Sequence, residues 1–152
     1  MAGSDAGWTS EKMLELGTRH ATLETEGDLD GTMATLIEHP IYEFWPIGKR
    51  MVGRERVRRY YEHLIDEFMP RQIGFTMIEE TISPGALSQE YIIEMKGSGG
   101  PEFHRVLGIL IGAPDSPGLM SGERIWGSED FLRQMIGPIW DELEVISDVE
   151  PD

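Results

Sequence analysis

The sequence predicts an α+β protein, with helices first and then a long antiparallel sheet that packs against them. Three observations carry this. Apolar residues recur at helical spacing up to Phe68, the period shortens to that of strands from Ile73 onward, and the later segments are separated by short, turn-rich connections.

Each element has its own signal. Thr9 and Ser10 are good helix N-caps with Glu11 in the first turn, and Met13, Leu16, His20 and Leu23 make the apolar stripe of a first helix. Glu26-Gly27-Asp28 ends it. A short second helix follows, with Asp30 as its cap and Met33, Leu36 and Ile37 as its buried side. His39-Pro40 breaks that helix. Ile41–Trp45 then forms a strand, with Tyr42 and Phe44 on one face and Ile41, Glu43 and Trp45 on the other. Pro46-Ile47-Gly48 turns the chain. The third helix runs from about Arg54 to Phe68, where Val57, Tyr60, Tyr61, Leu64, Ile65 and Phe68 fall at helical intervals.

Four strands follow, at Ile73–Ile82, Leu87–Lys96, Phe103–Ile111 and Leu119–Trp126. Ser83-Pro84-Gly85, Gly97 to Pro101 and Ala113 to Gly118 supply the turns, and such short connections favour antiparallel pairing. Ser128 caps a short C-terminal helix carrying Phe131, Leu132, Met135 and Ile136. From Asp141 to Asp152 there are six acidic residues and no basic ones, with Trp140, Leu143, Ile146 and Val149 at helical spacing. The organisation is a leader over 1–8, one α+β domain over 9–137 and an acidic amphipathic tail over 138–152. One sheet of about five strands buries a face against three helices, and a curled sheet leaves a pocket between them.

Composition narrows the function. The chain has 152 residues, 13 Lys+Arg against 28 Asp+Glu, a net charge of −15 and no cysteine. Thiolate chemistry and iron–sulfur clusters are excluded. The charge opposes nucleic acid and anionic membranes as partners. No apolar run approaches the length of a membrane span, and Met1 to Trp8 has no signal-peptide pattern, so a cytoplasmic protein is the expectation. There is no P-loop, no strand–GxGxxG–helix fingerprint and no G-x-S-x-G elbow, and the four histidines lack the i, i+4 spacing of a zinc helix. Neither a metal nor a cofactor is expected. Arg54, Arg56, Arg58 and Arg59 form a basic cluster whose expected partners are Glu55, Glu62 and the acidic tail.

Several segments resemble the nuclear transport factor 2-like superfamily, and within it SnoaL-like cyclases and limonene epoxide hydrolases. They are Gly27-Asp28-Leu29-Asp30-Gly31, then His39 to Pro46, then Gly53-Arg54-Glu55-Arg56-Val57, then Val106 to Leu110, and Glu123-Arg124-Ile125-Trp126 followed by Leu132-Arg133-Gln134. The resemblance covers roughly residues 10–137. It implies a cone-shaped curved sheet wrapped around three N-terminal helices, a deep apolar pocket, and a homodimer joined through the outer face of the sheet. The family holds isomerases, dehydratases, cyclases, hydrolases and non-catalytic binders, so the fold does not fix the function.

Strand parity gives two candidate faces. One carries Glu90, Ile92, Glu94, His104, Val106, Gly108, Glu123 and Ile125; the other carries Tyr91, Ile93, Met95, Arg105, Leu107, Ile109, Ile111, Arg124 and Trp126. The second is the more apolar, which points it at the helices. The resemblance points the first set at the pocket instead, and the site expectation follows it. It matches Tyr42 to a tyrosine that helps hold water in the hydrolases, a phenol able to donate to a developing oxyanion. Phe44 stands where those enzymes have a water-holding asparagine, Ile92 and Ile125 stand at their two acids, and Gly127 stands at the cyclase acid, with Glu129 and Asp130 near it.

The remaining candidates are His104 as general acid or base with Glu90 or Glu123 as its carboxylate, since burial in an apolar pocket raises a carboxyl pKa toward neutrality. His20, Phe44, Trp45, Tyr61, Ile92, Val106, Ile125 and Trp126 complete the expected substrate pocket. His63 and His39 belong to a solvated face and a loop. The expected activity is cofactor-independent acid–base chemistry of isomerase, cyclase, dehydratase or hydrolase type on a hydrophobic, ring-containing molecule. The alternative is a non-catalytic ligand-binding or dimeric assembly module of the same fold.

Overall fold

The computed structural model describes residues 7–147. Helix α1 (Ser10–Thr25) starts where the Thr9 hydroxyl accepts a hydrogen bond from the Lys12 backbone N–H at 3.1 Å, and it buries Met13, Leu16, Gly17 and His20. Trp8, inside the expected leader, docks on the sheet by donating its indole N–H to the Ala113 carbonyl. Helix α2 (Leu29–Ala34) is capped by Asp28, not by Asp30, through a 2.8 Å bond from the Gly31 N–H.

Leu36 and Ile37 lie outside α2. They begin strand β1 (Leu36–Trp45), so His39-Pro40 sits inside a strand and does not end a helix. Proline is tolerated there because the ladder to the neighbouring strand is irregular between Leu36 and Ile41, and the Pro40 carbonyl accepts from Gly53 N–H on the other side. After the turn, β2 (Lys49–Val52) returns antiparallel along β1, with Phe44 opposite Lys49 and Ile41 opposite Val52. Four residues beginning Lys-Arg give too little apolar alternation to be seen in sequence.

Helix α3 (Arg54–His63) continues the expected stripe through a π-helical turn (Leu64–Phe68) and a 3-10 turn (Met69–Arg71), which Pro70 closes. Strands β3 (Gln72–Ser83), β4 (Ala86–Gly97), β5 (Gly100–Gly112) and β6 (Met120–Trp126) follow, then α4 (Glu129–Ile136) with the Ser128 cap. The tail docks, as a 3-10 turn (Gly137–Glu142) and a short strand β7 (Glu144–Val145) beside β2, and not as a helix; Ile146 is buried, and Val149 lies outside the described residues. Two members of the arginine cluster find partners there, and a third finds them on the helices. Arg59 makes a two-pronged contact with Glu142, Arg56 reaches Glu142 and Glu144, and Arg58 meets Asp30 and Glu62.

The sheet therefore has seven strands in the order β3-β4-β5-β6-β1-β2-β7, curved and unclosed, with β1 and β6 parallel and every other neighbouring pair antiparallel. The helices cover its concave face. Met13, Leu16, Tyr42, Phe44, Val57, Tyr61 and Leu132 are buried between the two layers. Among the described residues no helix is long and apolar enough to cross a membrane.

Register decides which side chains point inward. Ser98 and Gly99 make a two-residue turn, so Gly97 pairs with Gly100, Ile93 with His104 and Tyr91 with Val106. Odd-numbered residues of β4 therefore share a face with even-numbered residues of β5. Between β5 and β6, Gly108 pairs with Ile125 and Leu110 with Glu123; between β6 and β1, Glu123 pairs with Tyr42 and Ile125 with Phe44. The concave face is thus Tyr91, Ile93 and Met95 on β4, His104, Val106, Gly108 and Leu110 on β5, Glu123 and Ile125 on β6, and Tyr42 and Phe44 on β1. The expected grouping was right for β5 and β6 and one residue out of phase for β4, which sends its whole set to the other side.

Candidate active site

A cavity of about 420 Å³ lies between α1, α3, α4 and the concave face. Its wall is mostly apolar and aromatic, with Phe68, Phe75, Tyr60, Tyr91 and Phe131 among the rings. Its polar end is built from two elements. Helix α1 brings His20 and Glu24, one turn apart, and β6 brings Glu123.

His20 is 2% exposed and both ring nitrogens are engaged. Nδ1 lies 2.7 Å from the Thr35 hydroxyl, whose own proton goes to the Thr32 carbonyl at 2.6 Å. Thr35 must therefore accept, and Nδ1 carries a proton. Nε2 lies 2.9 Å from Glu24 Oε1, 3.0 Å from the Tyr61 hydroxyl and 3.7 Å from Glu123 Oε1. The Tyr61 hydroxyl in turn meets that of Tyr42 at 2.5 Å. When Nε2 is protonated it donates to Glu24; when it is not, Tyr61 can donate to it and Tyr42 to Tyr61. The two phenols form a buried chain whose hydrogen-bond direction follows the charge on His20.

Charge in this cluster is set by burial and by close neighbours. Desolvation pulls the His20 pKa down, but the Glu24 carboxylate, with help from Glu123, outweighs it and leaves the imidazole above its ordinary value. Glu123 is pushed up to about 7, first by desolvation and also by Glu24, with His20 opposing. The two groups titrate as one system. A carboxylic acid that keeps its proton near neutrality, beside an imidazole and inside an apolar cavity, can give a proton to a bound molecule or take one back. Burial first, and Glu123 besides, raises Tyr42, Tyr60, Tyr61 and Tyr91, so all four phenols stay protonated.

The structure regroups the expected site residues. Glu123, His20 and Ile125 line the cavity. Tyr42, Tyr61, Phe44 and Val106 are buried on the inner side, the first two within the phenol chain. Glu90 and Ile92 are corrected: the β4 phase puts them on the outer face, where Glu90 accepts from the Arg105 guanidinium at 2.9 Å. Glu94 goes with them. Trp45 and Trp126 pair with each other across β1 and β6, opposite in parity to Tyr42 and Ile125, so they too belong to the outer face. His104 is on the inner side but packs against Phe131, whose ring lines the cavity, and its Nε2 is 3.4 Å from Glu102, not near Glu90 or Glu123. Ligand atoms of Glu102, His104 and Asp130 lie within 4.8 Å of one another, a spacing open to a metal ion, but the Gln134 amide already donates to both carboxylates.

Glu24, Thr35, Tyr60 and Tyr91 were not anticipated. The His20–Glu24 interval of four residues on an apolar helical stripe was a usable signal. So was the greater apolarity of the Tyr91-Ile93-Met95 set.

No family model and no curated protein matches the chain. Solved structures do. An NTF2-like protein of unknown function from Cytophaga hutchinsonii is similar with a TM-score of 0.61 and 12% identity, over 76% of this chain and 99% of that one. A putative ketosteroid isomerase from Kribbella flavida gives a TM-score of 0.59 and 15% identity over 78% and 79% of the two chains. An LEH-like epoxide hydrolase from M. tuberculosis gives 0.60 and 14% over 84% and 90%. At these identities the likeness is one of fold.

Proposed function

We propose that this nuclear transport factor 2-like fold carries a cofactor-independent acid–base catalyst for a hydrophobic small molecule. One observation carries the reading: Glu123 sits in a largely apolar cavity against the His20–Glu24 pair, with its pKa brought to about 7. Glu123 is the group that gives or takes the proton at the substrate. His20, held by Thr35, carries the compensating positive charge beside Glu24, and the Tyr61–Tyr42 chain lets the hydrogen-bond pattern reorganise as the proton moves. His104 and Glu90 have no part in it. Two reaction classes fit these groups: proton transfer next to a carbonyl, and protonation of a strained or leaving oxygen. The similarity in fold to proteins named as a ketosteroid isomerase and an epoxide hydrolase supports both. A homodimer joined through the outer face of the sheet belongs to the same reading.

Ile125 favours a second reading, ligand binding without turnover, because it puts an apolar side chain on the cavity wall where the resemblance to the hydrolases calls for an acid. One assay separates the two. In D₂O at pH 7, deuterium uptake at the α-carbon of α-tetralone and opening of 1-methylcyclohexene oxide are followed by NMR. The catalytic reading expects at least one rate about 100-fold above buffer, a factor that general acid–base catalysis supplies, and a return to background in Glu123→Gln. Binding of a probe with no turnover establishes the second reading.

A further inference from the structure

A second group of titratable side chains converges away from the acid end of the cavity. Glu102 and His104 stand two residues apart on β5, so they share a face, and Asp130 reaches them from the first turn of α4. One ligand atom from each lies within 4.8 Å of the other two. The His104 side chain is 11% exposed and its ring packs on Phe131, with 5.2 Å between centroids, so the imidazole is held in place. Its Nε2 is aimed at Glu102 Oε2 from 3.4 Å. That is long for a hydrogen bond. It is the spacing of two donors on one tetrahedral ion, because bonds of about 2.1 Å from metal to nitrogen and oxygen give an edge of about 3.4 Å. Behind the carboxylates, the Gln134 amide donates to Glu102 at 3.3 Å and to Asp130 at 3.0 Å, and its carbonyl accepts from Arg71 at 2.9 Å. A carboxylate offers about four lone-pair sites, and one amide takes one of them. Gln134 therefore orients both carboxylates and leaves them able to ligate, as outer hydrogen-bond partners do in metal sites.

We propose that Glu102, His104 and Asp130 form a site for a divalent transition-metal ion, zinc above all, that ties α4 to β5. The donor set selects the ion. Magnesium and calcium take six or more oxygen ligands, whereas an imidazole with two carboxylates suits zinc and leaves a fourth position for water. Asp130 is exposed, so that position is open to solvent. Two carboxylates and a neutral imidazole carry the charge that a divalent ion cancels, and a chain with a net charge of −15 draws cations to its surface. No i, i+4 histidine pair announces the site in the sequence, because its ligands come from a strand and a helix that only the fold brings together. Its place gives the ion a role. Phe131 follows Asp130, packs on His104 and lines the cavity. Coordination fixes both of these neighbours of the Phe131 ring and so stiffens one wall of the cavity. The acid end uses other elements, α1 and β6, so the site stands apart from the acid–base reading.

Calorimetry on the full chain, stripped with EDTA and dialysed, tests this with zinc, magnesium and calcium chlorides at pH 7. Zinc is expected to bind one equivalent per chain, at least about tenfold more tightly than magnesium or calcium. Cobalt in its place should show the visible absorption of a four-coordinate ion. Glu102→Gln, Asp130→Asn and His104→Gln should each weaken zinc binding at least about tenfold. Glu129→Gln and His39→Gln, an acid and a histidine outside the cluster, should leave it unchanged. Zinc at about a hundred times its dissociation constant should raise the melting temperature by roughly 5–10 °C, and the three ligand variants should lose that rise. His104 packs on Phe131 and its variant can lose stability for that reason alone; Glu102 and Asp130 are the less buried ligands, and their variants carry the test if it does. Absence of a one-to-one zinc isotherm, equal affinity for magnesium, or zinc affinity unchanged in Glu102→Gln and Asp130→Asn, which means an adventitious ion only, overturns the proposal.

Discussion

At pH 8 the Glu123→Gln protein is expected to be more stable than the wild type by about 3 kcal/mol, and the difference should shrink toward zero below pH 4.5. The figure follows from the distance between the ordinary glutamate value of 4.5 and the value of about 7 that the fold imposes on Glu123, at about 1.4 kcal/mol per pH unit. The sign follows from proton binding. A carboxyl whose folded pKa is raised holds its proton longer in the native state than in the unfolded chain. Its contribution to stability is complete below pH 4.5 and is lost as the pH rises toward 7. His20 is shifted in the same direction, and its contribution is complete below 6.5 and fades above. Glutamine has the size of the protonated acid and cannot ionise, so the variant should lack the Glu123 share of the decline. His20 keeps Glu24, the larger source of its upward push. Thermal melts of both proteins from pH 4 to 8 supply the comparison, and parallel curves would mean that Glu123 titrates as an exposed glutamate.

Gly122→Ala should prevent folding. Gly122 has φ +150°, and a Cβ there would lie 1.7 Å from the Ile41 carbonyl oxygen, a clash with backbone that no side-chain adjustment relieves. The residue sits where β6 meets both Ile41 of β1 and Ile111 of β5, beside pairing irregularities in each neighbour. Losses above about 4 kcal/mol belong to backbone clashes of this kind. Gly122 also sets the position of the next residue, Glu123. Gly85→Ala is the matched control, because a Cβ there meets nothing within 4 Å. Circular dichroism and soluble yield should separate the two variants completely; a native melt for Gly122→Ala would show that β1 and β6 do not approach as described.

The parts of this molecule that repeat were legible in its sequence, and those fixed by a single residue were not. The stripes of α1 and α3 and the four long strands are sustained patterns, and they appear where the spacing placed them. β2 and β7 are held by their neighbours and not by an apolar pattern. Pro40 reads as a breaker until the gap in its ladder is known. The site expectation failed at the phase of β4 against β5, at His104, which faces inward but meets Glu102, and at Trp45 and Trp126, which face outward. A two-residue turn at Ser98-Gly99 made the pairing odd against even, and that turned Glu90 and Ile92 outward while bringing Tyr91 in. His20 was found because it lies on the apolar stripe of α1; Glu123 was found through the family resemblance, since apolarity alone points the other face of β6 at the helices. Their meeting was not, because α1 and β6 are joined only by the tertiary fold.

The protonation of Glu123 can be read without knowing any substrate. With ¹³C-labelled glutamate, the Cδ resonance of Glu123, assigned by its loss in Glu123→Gln, is followed from pH 3 to 9. A midpoint near 7, with a matching inflection in the His20 ring signals, is the result expected from a carboxyl held in the cavity beside an imidazole. A midpoint near 4.5, with His20 titrating independently, would contradict it and remove the proton on which the proposed chemistry depends.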